Sequence, residues 1–156
     1  MANALRARAL ALLARREMSR AELRKKLEPL AATLSIQPAE LDALLDDLSR
    51  SRLQSDARFT DALVHTRAQR FGAARVVAEL REKGVSPELA AQAELALRAD
   101  EAARAHAVWR RKFRTLPASR EERAKQGRFL MSRGFSAEAV HRVLDGKLEQ
   151  DTEEPT

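Results

Sequence analysis

Along the chain, apolar residues recur every third or fourth position and almost nowhere every second one, which is the spacing of helical stripes rather than of strands. Leu5, Ala9, Leu12 and Leu13 predict a first helix from about Ala4 to Arg16. Ser19 and Glu22 then read as an S-x-x-E capping box opening a second helix, with Leu23, Leu27, Leu30 and Leu34 inward. Pro38, suited to a first helical turn, starts a third with Leu41, Leu44, Leu45 and Leu48 on its apolar face.

The same grammar is repeated twice. Asp56 is expected to cap a fourth helix carrying Phe59, Leu63, Val64 and Phe71 and ending near Gly72. A short fifth buries Ala73, Val76, Val77 and Leu80 and stops at Gly84, and Ser86-Pro87-Glu88 starts a sixth through Leu89, Ala93 and Leu97. A seventh, marked by Ala102, Ala105, Trp109 and Phe113, stops before Pro117, because a residue preceding proline disfavours helix. Ser119 and Glu122 repeat the capping box, Gly134 ends the eighth helix, and Ser136 caps a ninth burying Val140, Val143 and Leu144.

Lys83-Gly84-Val85-Ser86 returns fifty positions later as Arg133-Gly134-Phe135-Ser136, and Leu80 then aligns with Leu130. The first unit fits more loosely: Ile36 and Pro38 match Val85 and Pro87, but its turn lacks glycine and reads as lengthened from Pro29 to Gln37. The expected fold is all-α, three tandem three-helix repeats forming an elongated, curved array. Its boundaries are 1–54, 55–99 and 100–148, with 149–156 as a disordered acidic tail. Of the 44% hydrophobic residues much is alanine, with only five Phe and one Trp, so each core is thin and neighbouring units must buttress one another.

Charge is distributed unevenly. The net +6 divides into +3 for 1–54, +1 for 55–99, +6 for 100–148 and −4 for 149–156. Between Arg104 and Arg133 ten basic residues are opposed only by Glu121 and Glu122, a footprint suited to phosphate or to an acidic protein face.

Candidate chemistry is sparse. No cysteine is present, which removes disulfides and thiolate metal sites and suits a cytoplasmic location. The apolar run Ala9–Ala14 ends at Arg15 and Arg16, too short for a membrane span. His65, His106 and His141 form no metal-ligand pair, and nothing resembles a glycine-rich phosphate loop, so no cofactor, no metal and no catalytic site are expected. Ser19, Ser86, Ser119 and Ser136 precede helices and read as caps, not nucleophiles, and Asp46-Asp47 and Glu121-Glu122 as helix-surface charge. Trp109 and Phe113, four residues apart among Arg110, Arg111, Lys112 and Arg114, read as a staple to the core, with base stacking between those cations as the alternative.

Three stretches together resemble the RecX family of regulatory proteins. They are Asp56-Ala57-Arg58-Phe59, Arg70-Phe71-Gly72-Ala73-Ala74-Arg75-Val76 and Glu79-Leu80-Arg81-Glu82-Lys83-Gly84-Val85. Lys125-Gln126-Gly127-Arg128-Phe129-Leu130-Met131-Ser132-Arg133-Gly134-Phe135-Ser136 is similar to that family's C-terminal signature, and Ser19-Arg20-Ala21-Glu22-Leu23 to its opening repeat. The likeness runs from about residue 4 to 148, with two departures: Leu63 stands where an aromatic is usual, and the first turn is altered. It implies a non-enzymatic modulator of the RecA recombinase, three repeats lodged in the groove of the RecA–DNA filament and restraining its ATPase, strand-exchange and coprotease activities.

Charge density places the contact surface on Arg67, Arg70, Arg75, Arg81 and Lys83 of the second unit. In the third it falls on Arg110, Arg111, Lys112, Arg114, Arg120, Arg123, Lys125 and Arg128. A monomer with weak, salt-sensitive, nonspecific DNA affinity is expected. The alternatives are an autonomous DNA-binding module, marked by preference for one duplex sequence, and a helical adaptor for an acidic protein, marked by capture that survives nuclease.

Overall fold

A computed structural model describes residues 2–150. The helices are α1 (Ala2–Arg15), α2 (Arg20–Thr33), α3 (Pro38–Arg50), α4 (Asp56–Arg67) and α5 (Ala73–Glu82). They continue with α6 (Pro87–Ala99), α7 (Glu101–Lys112), α8 (Arg120–Ser132), α9 (Ala137–Leu144) and α10 (Lys147–Gln150). No strand occurs among the described residues, and α1–α9 form three successive three-helix units, with the four-residue α10 following the third. The most extensive helix–helix packing falls inside a unit, and buried clusters stay within one: Leu5 to Leu48 in the first, Phe59 to Leu97 in the second, Ala105 to Leu144 in the third. Cores this small depend on nearest-neighbour interfaces, as in repeat proteins generally.

Local sequence explains most helix ends. Ser19, Ser55, Ser86, Ser119 and Ser136 each cap a helix through a hydroxyl accepting the amide three residues on, at 3.1–3.2 Å. The turns that follow the three middle helices share one backbone path, in which the residue after the left-handed position donates to the carbonyl five residues back. These bonds are Ile36 to Ala31 at 2.8 Å, Val85 to Leu80 at 3.1 Å and Phe135 to Leu130 at 3.3 Å. The left-handed position is Ser35 (φ 56) in the first unit, Gly84 (φ 76) in the second and Gly134 (φ 89) in the third.

Several expectations need correction. Pro29 does not lengthen a turn: α2 runs through it to Thr33, whose hydroxyl donates to the Pro29 carbonyl at 3.1 Å. The exposed proline lies on the outer face, while Leu23, Leu27 and Ala31 hold the helix to the core. Ser55, not Asp56, caps α4, and Asp56 is that helix's first residue. α4 ends at Arg67, and Gly72 is the N-cap of α5. Ser19 and Glu22 form half a capping box, because the Glu22 carboxylate binds Arg16 instead. The expected tail is shortened: Glu149 and Gln150 belong to α10, and the rest of that stretch lies outside the described residues.

Each unit grips the next in the same way. The C-cap carbonyl of one unit's middle helix accepts a hydrogen bond from the preceding unit's N-cap residue: Lys83 from the Ser19 hydroxyl at 2.7 Å, Arg133 from the Gly72 amide at 2.8 Å. The carboxylate opening each first helix takes the following amide. Asp56 accepts from Arg20 at 2.8 Å, and Glu101 from Ala73 at 3.0 Å. Both junctions thus satisfy helix N-terminal donors that lack partners within their own helix.

Candidate polyanion interface

The second junction gathers cations from both of its units around two aromatic rings. Gly72 ends the 68–72 segment, and Phe71, half-buried against the second unit's core, lies beside Arg75 of α5 and Arg133 at the end of α8. The Arg75 guanidinium lies 4.1 Å from the centre of the Phe71 ring, and those of Arg70 and Arg133 lie 5.8 Å from it. Arg133 also reaches the Phe129 ring at 5.0 Å, where the Lys112 ammonium lies at 5.6 Å. Phe113 packs edge-on against Phe129, with ring centres 5.5 Å apart.

Arg70, Arg75, Lys112 and Arg133 enter no ion pair among the described residues. Aromatic faces offset part of their mutual repulsion, about 0.5–1 kcal/mol for each exposed cation–π contact. Glu79 and Glu82 line the groove beside Arg70 and Arg75, but these four cations stay without an ion pair, and such a cluster attracts external anions, most strongly at low salt.

The other basic positions distribute differently. Arg67 and Lys83 border the same groove as Arg70 and Arg75, but Arg67 binds Glu79 at 2.9 Å and Lys83 lies 3.7 Å from Glu22. The bidentate hydrogen bond to Glu79 raises the Arg67 pKa, so that guanidinium stays charged throughout the accessible range. Arg111 donates to the Gln69 carbonyl at 2.6 Å and so ties α7 to the second unit. Arg123 pairs with Asp145 at 2.9 Å. Arg110 and Arg114 are exposed and share a separate cavity with Trp109 and Glu149. Arg81, Arg120, Lys125 and Arg128 are exposed on α5 and α8.

Two residues escaped the sequence reading. Arg133 bridges both aromatic rings, and its place beside Gly134 in the repeated helix stop was the available signal. Arg104 has a side chain only 13% exposed and donates to the Ala68 and Phe71 carbonyls at 3.0 and 2.8 Å, a rivet rather than a contact residue. Trp109 is fully buried and donates to Gln126 at 2.8 Å, as a core staple should. No cluster of three metal-capable side chains occurs among the described residues, and no helix is long and apolar enough to cross a membrane.

Comparison with known proteins agrees with this architecture. Residues 55–93 match the family profile described as the second three-helix domain of RecX, and residues 99–144 match that described as the third. A regulatory protein RecX of Leptothrix cholodnii is 49% identical over 140 residues, covering 90% of this chain and 87% of the relative. The chain belongs to the RecX family. A RecX of Ralstonia nicotianae is 45% identical over 97% of this chain and 94% of its own length. The crystal structure of RecX from Lactobacillus salivarius superposes with a TM-score of 0.74, covering 96% of this chain and 97% of that one, at 18% identity. Both of these relatives carry the name of regulatory proteins.

Proposed function

We propose that this RecX-family chain acts without catalysis, binding the groove of the RecA–DNA filament and restraining ATP hydrolysis, strand exchange and coprotease action. The cationic cluster on Phe71 and Phe129 carries this reading: Arg70, Arg75, Lys112 and Arg133 converge from two units onto one surface. A junction held by backbone hydrogen bonds presents those charges at fixed spacing, so little ordering cost falls on binding. A row of stacked units can follow a helical groove while its cations replace counterions of the nucleic acid. The protein works as a cytoplasmic monomer, and its affinity for naked DNA is weak and nonspecific.

RecA ATPase activity on single-stranded DNA tests the proposal. The chain slows hydrolysis when present at fewer copies than RecA protomers. Charge reversal at Arg75 and Arg133 (R75E/R133E) raises the amount needed by about tenfold or more, whereas R8E in the first unit leaves it unchanged. A RecA ATPase indifferent to the unaltered protein overturns the reading.

A further inference from the structure

The two junctions match residue by residue, yet their charges are opposite. Ser19 and Gly72 are the N-caps of α2 and α5, and Lys83 and Arg133 are the C-caps of α5 and α8 that face them. In the first junction Glu22 lies in the first turn of α2 with its side chain 8% exposed, and it takes both the Arg16 guanidinium and the Lys83 ammonium, the latter at 3.7 Å. Glu17, two residues before the N-cap, pairs with Arg58 at 2.9 Å. In the second junction these two positions hold Arg75 and Arg70, and Arg133 stands where Lys83 does. Guanidiniums thus replace both carboxylates, and no acid among the described residues pairs with them. Arg75 moreover occupies the first turn of α5, where the helix dipole disfavours a cation, and reaches across to the Ser132 carbonyl at 3.4 Å.

We propose that a phosphate group completes the second junction, held between Arg75 and Arg133 in the place that the Glu22 carboxylate fills in the first, and that the bound phosphate clamps the second unit to the third. A planar carboxylate fits one guanidinium fork, as Glu22 fits both terminal nitrogens of Arg16. Forks arriving from α5 and from the end of α8 come from different elements, and a tetrahedral oxyanion accepts from both. Glu79 and Glu82, which line the groove beside Arg75, come later on α5, and Glu79 is already bound to Arg67. An anion that binds the closed junction relieves the repulsion between Arg70, Arg75 and Arg133 and stabilises the closed form by mass action. That the phosphate belongs to a nucleic-acid backbone rests on the proposed filament reading, whereas the clamp does not.

The Gly72 amide, which donates to the Arg133 carbonyl at 2.8 Å, reports on the closed junction through its protection from hydrogen exchange. At constant ionic strength, a short oligothymidylate at about ten times its dissociation constant raises that protection about tenfold, and inorganic phosphate raises it at higher concentration. Acetate leaves it unchanged. R75Q and R133Q each remove the response. R75E recreates the first junction's arrangement, so it raises the protection without any ligand and abolishes the response to phosphate, and its gain disappears in the R133Q background. No response to either phosphate probe, acetate acting like phosphate, a response retained in R75Q, or an R75E gain that survives in R133Q overturns the clamp. Protection by inorganic phosphate but not by oligothymidylate overturns the nucleic-acid source. A working clamp beside a RecA ATPase indifferent to the protein overturns the filament reading alone.

Discussion

Gly72 and Gly134 meet backbone to backbone: a Cβ on Gly72 would lie 2.3 Å from the Gly134 carbonyl oxygen, and one on Gly134 would lie 2.5 Å from the Arg75 Cβ. Neither obstacle is the end of a flexible side chain, so a methyl group at either position must push the second and third units apart. Gly72→Ala is therefore expected to lower stability by about 2–4 kcal/mol while leaving helical content nearly unchanged. Circular dichroism melts measure the loss, and small-angle scattering reads the loosened junction as a larger radius. An unchanged melting temperature would show that the units yield more easily than their contact distances imply.

Glu101 is a buried carboxylate that serves two partners, the Ala73 amide at 3.0 Å and Arg98 at 3.5 Å. Glu101→Ala leaves a buried amide without an acceptor and should cost about 1–3 kcal/mol. Glu101→Gln keeps an oxygen at the same place and should cost clearly less. Faster hydrogen exchange of the Ala73 amide in the alanine variant alone locates the effect. Equal losses in both variants would mean that charge, not the capping bond, holds the junction.

Gln126 is buried with its amide engaged at both ends, accepting from Trp109 at 2.8 Å and donating to the Thr115 carbonyl at 3.3 Å. Replacing it by leucine strands the indole N–H in an apolar core, so Gln126→Leu should destabilise by about 1–3 kcal/mol despite adding hydrophobic surface. Since Trp109 is the single tryptophan, its emission reports on the site directly. A leucine variant as stable as the parent would mean that packing outweighs the lost bond.

Glu22 sets an acid limit at the first junction. The hydrogen bond from Arg16 holds its carboxyl below the ordinary value near 4.5; burial opposes this, and Lys83 and Lys26 add attraction. A depressed folded-state pKa means that the unfolded chain binds the proton first. The stabilisation is therefore complete above about pH 4.5 and is lost as pH falls through the folded-state value. Glu22→Gln should flatten that acid limb of a stability–pH curve, measured by denaturant titration, and an identical limb in the variant would assign it to other carboxylates.

Ser35 and Gly84 occupy the same left-handed position in successive repeats, yet Ser35 is exposed, whereas Ala21 lies 2.7 Å from the Cβ that Gly84 lacks. Ser35→Gly is expected to change stability by no more than about 1 kcal/mol, because backbone relief and added chain entropy oppose each other. Gly84→Ser adds strain and a collision together and should cost more than 2 kcal/mol, roughly. Comparable melts for the two variants would remove the junction as the reason for glycine.

Helices, most caps and the repeated stop were legible because they depend on residues within one or two turns of each other. Ser86 accepts from Leu89 three residues away, and Val85 closes on Leu80 five residues away. The misread positions depended on distant partners. Asp56 looked like a cap and is one, but for Arg20 of the preceding unit; Gly72 looked like a helix stop and is an N-cap pressed against Gly134. Pro29 looked like a break, yet three buried side chains on the opposite face outweigh one missing amide donor.

The sequence by itself determined the helical class, the period of about fifty residues and the positive third unit, since composition and short-range spacing contain them. Only the tertiary structure decided which cations meet. Arg70, Arg75, Lys112 and Arg133 lie on four different segments, and the junction between units brings them around two aromatic rings, whereas Arg104 and Arg111 from the same basic run bind backbone carbonyls. Charge sums along a chain regardless of direction, but an interface depends on where each side chain points, and that is fixed by packing between units far apart in sequence.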